Sequence, residues 1–445
     1  MLDTRRSPIW LRVYRRRVRI RRGLTPAAVV RAVAGAAAAG TLAVVGLASG
    51  GYFPHTWRLT ALALGALAAA AVLGRRRLVV SRREWLFLAA FAALTGWTAL
   101  STLWSENATT SGLEAERTGL YVIGAAAILL GIDRRSLRWL LGGAVVGITA
   151  VSAYGLGQYV IGGHPLNPIE GNLLFEPVGY ANAFGILCAI GIVLSVGLAL
   201  AADRRTARLA ALAGLPILVP ALYLTSSRGA WLALAAGLAA TFALGPRFSA
   251  RAAVAVTVAV ALAAVAVVAL SGEHGIAARL VGANRPHYWH VAWKEYRMNP
   301  LLGSGAGTFD SYWLRYRTVD SFARDAHSLY VETLAELGPL GLALVLAALA
   351  MPFAGVRRRL EPLAAAAGGG YVAFVVHLAV DWDWELPAVT LAGVACGAAL
   401  LVGTRNEAGR PLSRRTRTAV VLVALAAAGF SVVRLRGGAS LPFGG

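Results

Sequence analysis

The chain has little of what soluble enzymes usually carry. Lys294 is its one lysine, acidic residues number 21 against 43 basic ones, and only 14% of positions are charged. With 58% hydrophobic residues and a mean hydropathy of +0.63, the sequence is too apolar for a soluble domain and reads as membrane protein. The two cysteines, Cys188 and Cys396, both fall inside apolar runs, which excludes a disulfide framework and a CxxC metal site. No GxxxxGK[ST] phosphate loop is present, which argues against an ATP-driven pump. The net charge of +22 is not the footprint of a nucleic-acid binder, because the arginines stand in short clusters between apolar runs. That distribution suits loops facing anionic membrane lipids, with no nucleic acid as partner.

What is abundant is apolar sequence in lengths near the ~20 residues that cross a bilayer as helix. Such runs lie near 27–49, 58–74, 85–103, 118–132, 138–161, 179–201, 209–225, 229–245 and 251–270, and then near 337–355, 363–380, 386–403 and 418–433. Helices are required, because hydrocarbon cannot satisfy an open backbone, and the many Ala and Gly residues let helices pack closely. The expected fold is an all-α polytopic bundle of 12–13 transmembrane helices with a large, partly helical external loop.

The charges between runs give the division of the chain. Residues 1–26 form a basic arm (Arg5, Arg6, Arg12, Arg15, Arg16, Arg17, Arg19, Arg21, Arg22), read as a cytoplasmic anchor rather than a cleavable signal. Alternate connections carry Arg75, Arg76, Arg77, Arg82 and Arg83; Arg134, Arg135 and Arg138; Arg204, Arg205 and Arg208; and Arg357, Arg358 and Arg359. The opposite connections, such as GYFPHTW, GGHPLNPIEGNLLFEPVG and DWDWELP, are nearly free of arginine. By the positive-inside rule, 27–270 holds helices 1–9, 271–336 is a large external loop, 337–433 holds helices 10–13, and 434–445 is a tail. The functional face is expected on the external side of the membrane, opposite the arginine clusters.

The unusual residues collect on that external side. Arg228, in Ser226-Ser227-Arg228-Gly229, is a lone arginine in a very short external turn. An unpaired guanidinium at the hydrocarbon boundary is costly, so it either snorkels, pairs with a carboxylate, or binds an anion such as diphosphate. Arg285, four residues before Trp289, offers the same choice between ion pair and anion ligand. His327 stands in Arg324-Asp325-Ala326-His327-Ser328, ahead of Glu332 and Glu336, where neighbouring carboxyls can set its tautomer. Taken alone, a histidine near a helix is more often structural. Gly303-Ser304-Gly305-Ala306-Gly307 lacks a βαβ context and reads as a tight turn. Trp382 and Trp384 read as interfacial belt residues, with sugar stacking as the functional alternative. Asp381, Asp383 and Glu385 are only weak evidence for a metal. The sequon-like Asn107-Ala108-Thr109 is given no role. A transporter or flippase without chemistry is the competing class, but it predicts ionisable residues at mid-membrane, where this chain has mostly Ala, Leu, Val and Gly, with His377 the main exception.

In order along the chain, Trp104-Ser105, Asn182 after Tyr180-Ala181, Ser227-Arg228-Gly229, Arg285 with Trp289, and Asn299-Pro300-Leu301-Leu302-Gly303 form a recognisable set. His327-Ser328, nine residues, and Gly338-Pro339-Leu340-Gly341 complete it. The set resembles the O-antigen ligase/polymerase family, bacterial membrane glycosyltransferases that act on polyprenyl-diphosphate-linked glycans. Leu342-Ala343 replaces the Thr-Pro that ends the pattern in some ligases, which weakens a ligase assignment relative to a polymerase. The resemblance implies a C-type glycosyltransferase architecture that uses no metal, cofactor or nucleotide sugar. It implies a polyprenyl-diphosphate-linked glycan donor and a glycan, lipid or protein acceptor. Carried over by position, it implies Arg228 and Arg285 as diphosphate ligands and His327 at the reacting centre. Asn182, Arg324, Asp325, Glu332, Trp289 and Trp382 are the expected substrate-binding residues.

Overall fold

The computed structural model describes residues 26–75, 77–162, 167, 170–246, 284–356, 359–406 and 411–437. The basic arm up to residue 25, the ninth apolar run and the first part of the external loop lie outside the described residues. Everything else is helix and connection, with no strand among the described residues. The helices are α1 (Pro26–Leu47), α2 (Pro54–Gly74), α3 (Arg82–Leu100), α4 (Ala108–Gly131) and α5 (Leu137–Ile161). They continue as α6 (Ala181–Leu200), α7 (Arg205–Leu212), α8 (Leu215–Leu224) and α9 (Arg228–Leu244). After the undescribed stretch come α10 (Arg285–Met298), α11 (Phe309–Tyr316), α12 (Leu329–Ala350), α13 (Pro362–His377), α14 (Pro387–Thr404) and α15 (Arg414–Gly437).

Eight helical stretches among the described residues are long and apolar enough to cross a membrane, and α9 and α13 are shorter apolar helices of 17 and 16 residues. The protein is an all-α, multi-pass membrane bundle. α6 and α14 form its centre, with 89% and 83% of their apolar windows buried. Small residues allow this. A Cβ on Gly369 of α13 would collide with Thr241 and the Gly237 carbonyl of α9, and one on Gly143 of α5 would strike the Gly35 backbone of α1. Backbones in contact gain van der Waals packing that lipid cannot supply.

Local signals set the helix ends. Ser81 and Glu84 form a capping box at the start of α3, Asn107 caps α4 by accepting from Thr110 N, and Ser227 caps α9. The sequon-like asparagine thus has a structural use. Glu84 has a second task, since its carboxylate meets Arg405 Nε at 2.7 Å, both side chains being buried. The same guanidinium donates to the Leu129 and Ile132 carbonyls at 2.8 and 3.3 Å. One arginine after α14 therefore fastens α3 and α4 at the arginine-rich end.

Removing one partner of a buried, hydrogen-bonded ion pair costs about 3–5 kcal/mol, whereas replacing both by apolar groups costs far less. Arg405→Ala should lower the thermal unfolding temperature in detergent markedly, and a Glu84→Gln/Arg405→Met double variant should recover much of the loss.

Candidate functional site

At the end of the bundle remote from the arginine clusters, helices converge on the connection between α13 and α14, residues 378–386. Its three carboxylates are buried, and each is matched by a different element. Asp381 receives Arg285 Nη2 at 2.8 Å, the Tyr180 hydroxyl at 2.8 Å and the Trp382 backbone N–H at 3.0 Å. Asn182 in turn donates to the Tyr180 hydroxyl at 2.7 Å. Asp383 faces His377 Nδ1 at 2.8 Å, with both side chains fully buried. Glu385 takes both prongs of the Arg117 guanidinium, at 3.0 and 2.9 Å, and that arginine also pairs with Glu114. Burial pushes the Asp381 carboxyl up, but the Arg285 guanidinium, His327, His377 and the Tyr180 hydroxyl outweigh it and hold the group below the usual carboxylate range. Stability from this carboxylate is therefore fully present above its unfolded pKa, ~3.9, and is lost only as pH falls through the lower folded value.

Arg228 is the first residue of α9, half-buried, behind the Ser227 cap. A Cβ on its neighbour Gly229 would lie 3.1 Å from His377 Nε2 and 3.2 Å from Val380, one residue short of Asp381. Gly185 of α6 is crowded by Ser227 and Thr225 in the same way. The first turns of α6 and α9 and the start of α10 thus approach one connection, bringing Asn182, Arg228 and Arg285 to it.

His327 precedes α12 with a left-handed backbone, φ +53°. Ser226, just before Ser227-Arg228, has φ +51°. Non-glycine residues avoid this region, and such strain gathers where function fixes a side chain. The Leu329 N–H donates to the Leu378 carbonyl at 3.0 Å, so the histidine turn is tied to the same connection. Its ring lies against Tyr288, centroids 4.8 Å apart. Nδ1 is 2.9 Å from the Asp325 carbonyl oxygen, which can only accept. Nδ1 therefore carries the proton and Nε2 keeps its lone pair. Burial lowers the imidazole pKa; Asp381 and the Asp325 carbonyl raise it, Arg285 lowers it further, and the balance leaves it below the usual value.

The nine residues between His327-Ser328 and Gly338 are the first stretch of α12, Leu329–Leu337, ~13 Å of helix. Gly338 (φ +67°) breaks that helix before Pro339. The glycine turn docks at this break. Gly305 N donates to the Glu336 carbonyl at 2.8 Å, while Gly307 N and Phe309 N donate to the Glu336 carboxylate at 2.8 and 2.9 Å. A Cβ on Gly305 would collide with Ser105, and the Trp97 indole donates to the Leu337 carbonyl at 2.9 Å. The glycine turn, backed by Ser105, and Trp97 are a clamp on α12, fixing the pose of the helix that His327 begins.

The remaining expected residues divide. Trp382 is half-buried and packs on Tyr180 (4.8 Å) and Tyr52 (6.2 Å), beside the Asp381 network. Arg324 is exposed and hydrogen-bonds the Tyr52 hydroxyl. Asp325 is buried near Glu332 and Glu385, with one oxygen of each within 4.8 Å of the others. That spacing would admit a hard cation. However, Glu385 is already gripped by Arg117 and Glu332 accepts from Ala326 N at 2.7 Å, while burial plus Glu385 pushes the Asp325 carboxyl well up. Trp289 packs on a separate outer core around Tyr288, Phe309 and Trp313 rather than in the Asp381 network. Trp384 is not an interfacial belt residue. It is 8% exposed, packed against Tyr121 and Phe91, because its carbonyl is held by Tyr121 and Thr390 hydroxyls.

Sequence reasoning missed Tyr288 and Tyr52, noted Tyr180 and Arg117 without giving them a role, and weighed Asp381 only as a metal ligand. A usable signal existed, since an acidic connection lay on the same side as several isolated external arginines.

Compared with known families, residues 213–346, about three-tenths of the chain, match the model described as O-antigen ligase. The matched stretch contains Arg228, Arg285, His327 and the Gly338 break, whereas Asn182 and Asp381 lie outside it. No curated protein matches the chain.

Glu336→Gln leaves one acceptor oxygen for two backbone N–H donors, a loss of about 1–3 kcal/mol. Hydrogen exchange should rise in residues 301–309 while the buried centre of α6 and α14 stays protected.

Proposed function

From the support that residues 213–346 give to membership of the O-antigen ligase/polymerase family, we propose that this protein transfers a polyprenyl-diphosphate-linked glycan to an acceptor hydroxyl at the outer face of the bacterial cytoplasmic membrane. The observation that carries the reading is the meeting of Arg285, the α9 N-terminus with Arg228, and a strained, proton-accepting His327 around one buried connection. The acceptor oxygen attacks the anomeric carbon, the bond from that carbon to the diphosphate oxygen breaks, and the acceptor proton passes to His327 Nε2. Arg228 and Arg285 receive the charge that grows on the departing diphosphate. Asp381, Tyr180 and Asn182 position Arg285, and Trp382 with Tyr180 and Tyr52 offers aromatic faces to sugar. Arg324 sits beside that aromatic group. Asp325 orients His327 through its backbone carbonyl, and Glu332 holds the same turn through Ala326 N.

The neutral tautomer favours His327 as base over His327 as cationic ligand. Most buried acidic and basic side chains among the described residues lie at or near helix ends or in the connections, and Arg117, farther inside α4, is paired with Glu114 and Glu385, an arrangement suited to chemistry at one membrane face rather than to a mid-membrane transport path.

Purified protein should convert a lipid-linked glycan without ATP or an ion gradient, and absence of conversion would overturn the proposal. Each charge-assisted hydrogen bond is worth about 1.5–3 kcal/mol. Arg228→Ala and Arg285→Ala should therefore each slow transfer about 10–100-fold, with lysine rescuing poorly because the planar fork is lost. Wild-type rate should be level above neutrality and fall as pH drops below ~6.5, as the imidazole protonates. His327→Gln should be slow and lack that acid limb; an unchanged limb would remove His327 as base.

A further inference from the structure

At the other end of the bundle, an apolar crevice opens between α1 and α2. These helices are neighbours in sequence, yet α1 lies along α5 and touches α2 only slightly. The gap is a cavity of about 310 Å³ whose walls also include α4, α5 and α14. Ala37, Ala71 and Gly124 line it with little side-chain volume, and Leu42, Leu64 and Leu391 line its deep end.

Its dimensions and charge point to one occupant. The lining of α1 runs from Val29 to Leu42, ~20 Å of helix, comparable with the ~15 Å of one leaflet's hydrocarbon. The shallow end is the arginine-rich end. Arg75 lines the mouth, Arg77, Arg134 and Arg135 are exposed on the flanking connections, and Asp133 is the acidic neighbour, 3.7 Å from Arg75. A chain entering here comes from that leaflet, with its headgroup among guanidiniums.

We propose that the crevice binds one acyl chain of an anionic phospholipid from the leaflet at the arginine-rich end, its phosphate lying at the mouth beside Arg75, near Arg77 and Arg134. The site is separate from the Asp381 network at the far end and does not depend on the chemistry assigned there. A donor lipid whose diphosphate sits at Arg285 would enter from the opposite leaflet.

The test uses the full chain in phosphatidylcholine vesicles containing a trace of phosphatidylglycerol with a photoreactive acyl chain. After irradiation, adducts should map to peptides around Val33 and Leu67. Ala71→Trp, which fills the crevice, should cut them about tenfold, with Ala37→Leu as a milder filler if the tryptophan variant misfolds. Arg77→Gln with Arg134→Gln should reduce labelling by the phosphatidylglycerol probe at least about fivefold and leave labelling by a phosphatidylcholine probe unchanged. Equal labelling by both probes in the wild type, or no effect of either filling variant, would overturn the proposal. So would labelling of the same peptides by a photoreactive polyprenyl diphosphate in preference to phosphatidylglycerol, which would make the crevice a donor-tail site.

Discussion

Asp381 is 1% exposed at the end of a membrane bundle, and a bare carboxylate there would be prohibitively costly. It persists because a guanidinium from α10, a phenol at the start of α6 and its neighbour's backbone N–H all point at it. The requirement works in both directions. Helix α10 packs through a short apolar face, Tyr288, Val291 and Ala292, and Arg285 is a further tie that fixes its first turn. Asp383 with His377 and Glu385 with Arg117 repeat the arrangement within the same short connection, drawing α13 and α4 to the point where α10 already sits. Charge neutralisation in a dry place decides where the outer elements converge.

A pinned connection makes the neighbouring backbone strain tolerable. His327 and Ser226 each hold a left-handed conformation that an isolated chain would leave, at a cost of order 1–3 kcal/mol per residue. Their surroundings over-determine them. Leu329 N is bonded to the Leu378 carbonyl, Ser227 caps α9 directly after Ser226, and α12 is clamped farther along by the glycine turn at Gly338. The nine-residue spacing is then a length of helix between two left-handed residues, one aiming an imidazole and the other receiving the clamp. Inserting or deleting one residue would rotate His327 by about 100° relative to Gly338.

Much of this was legible in the sequence for physical reasons. Hydrocarbon demands apolar helices, so an all-α multi-pass bundle could be read, and the cost of placing any guanidinium at the membrane edge marked the turn of Arg228 as special. His327, Arg285 and Asn182 could be singled out because polar residues at a membrane edge are few. Their connections could not be read. Arg285 and Asp381 are 96 positions apart, and nothing local in either stretch names the other. Tyr180 looked like context for Asn182, yet its hydroxyl is the bridge between that amide and the carboxylate. Trp384 looked amphipathic by position, but tertiary packing against Phe91 and Tyr121 overrode that expectation.

The two ends of the bundle solve the same electrostatic problem with opposite consequences. At the arginine-rich end, Arg405 spends its hydrogen bonds on Glu84 and on the last carbonyls of α4, so the charge is consumed in holding helices together. At the opposite end, the carboxylates are the buried partners, and Arg285 keeps more side-chain exposure than Asp381, 15% against 1%. The cation is thus the member of the pair that faces outward. An arginine oriented by a buried acid and an imidazole whose proton is held on Nδ1 by the Asp325 carbonyl are brought to one connection. The proposed transfer would call on both groups, the cation for a departing diphosphate and the lone pair for an acceptor hydroxyl, and preorganised groups lower a barrier because they need not reorient during reaction.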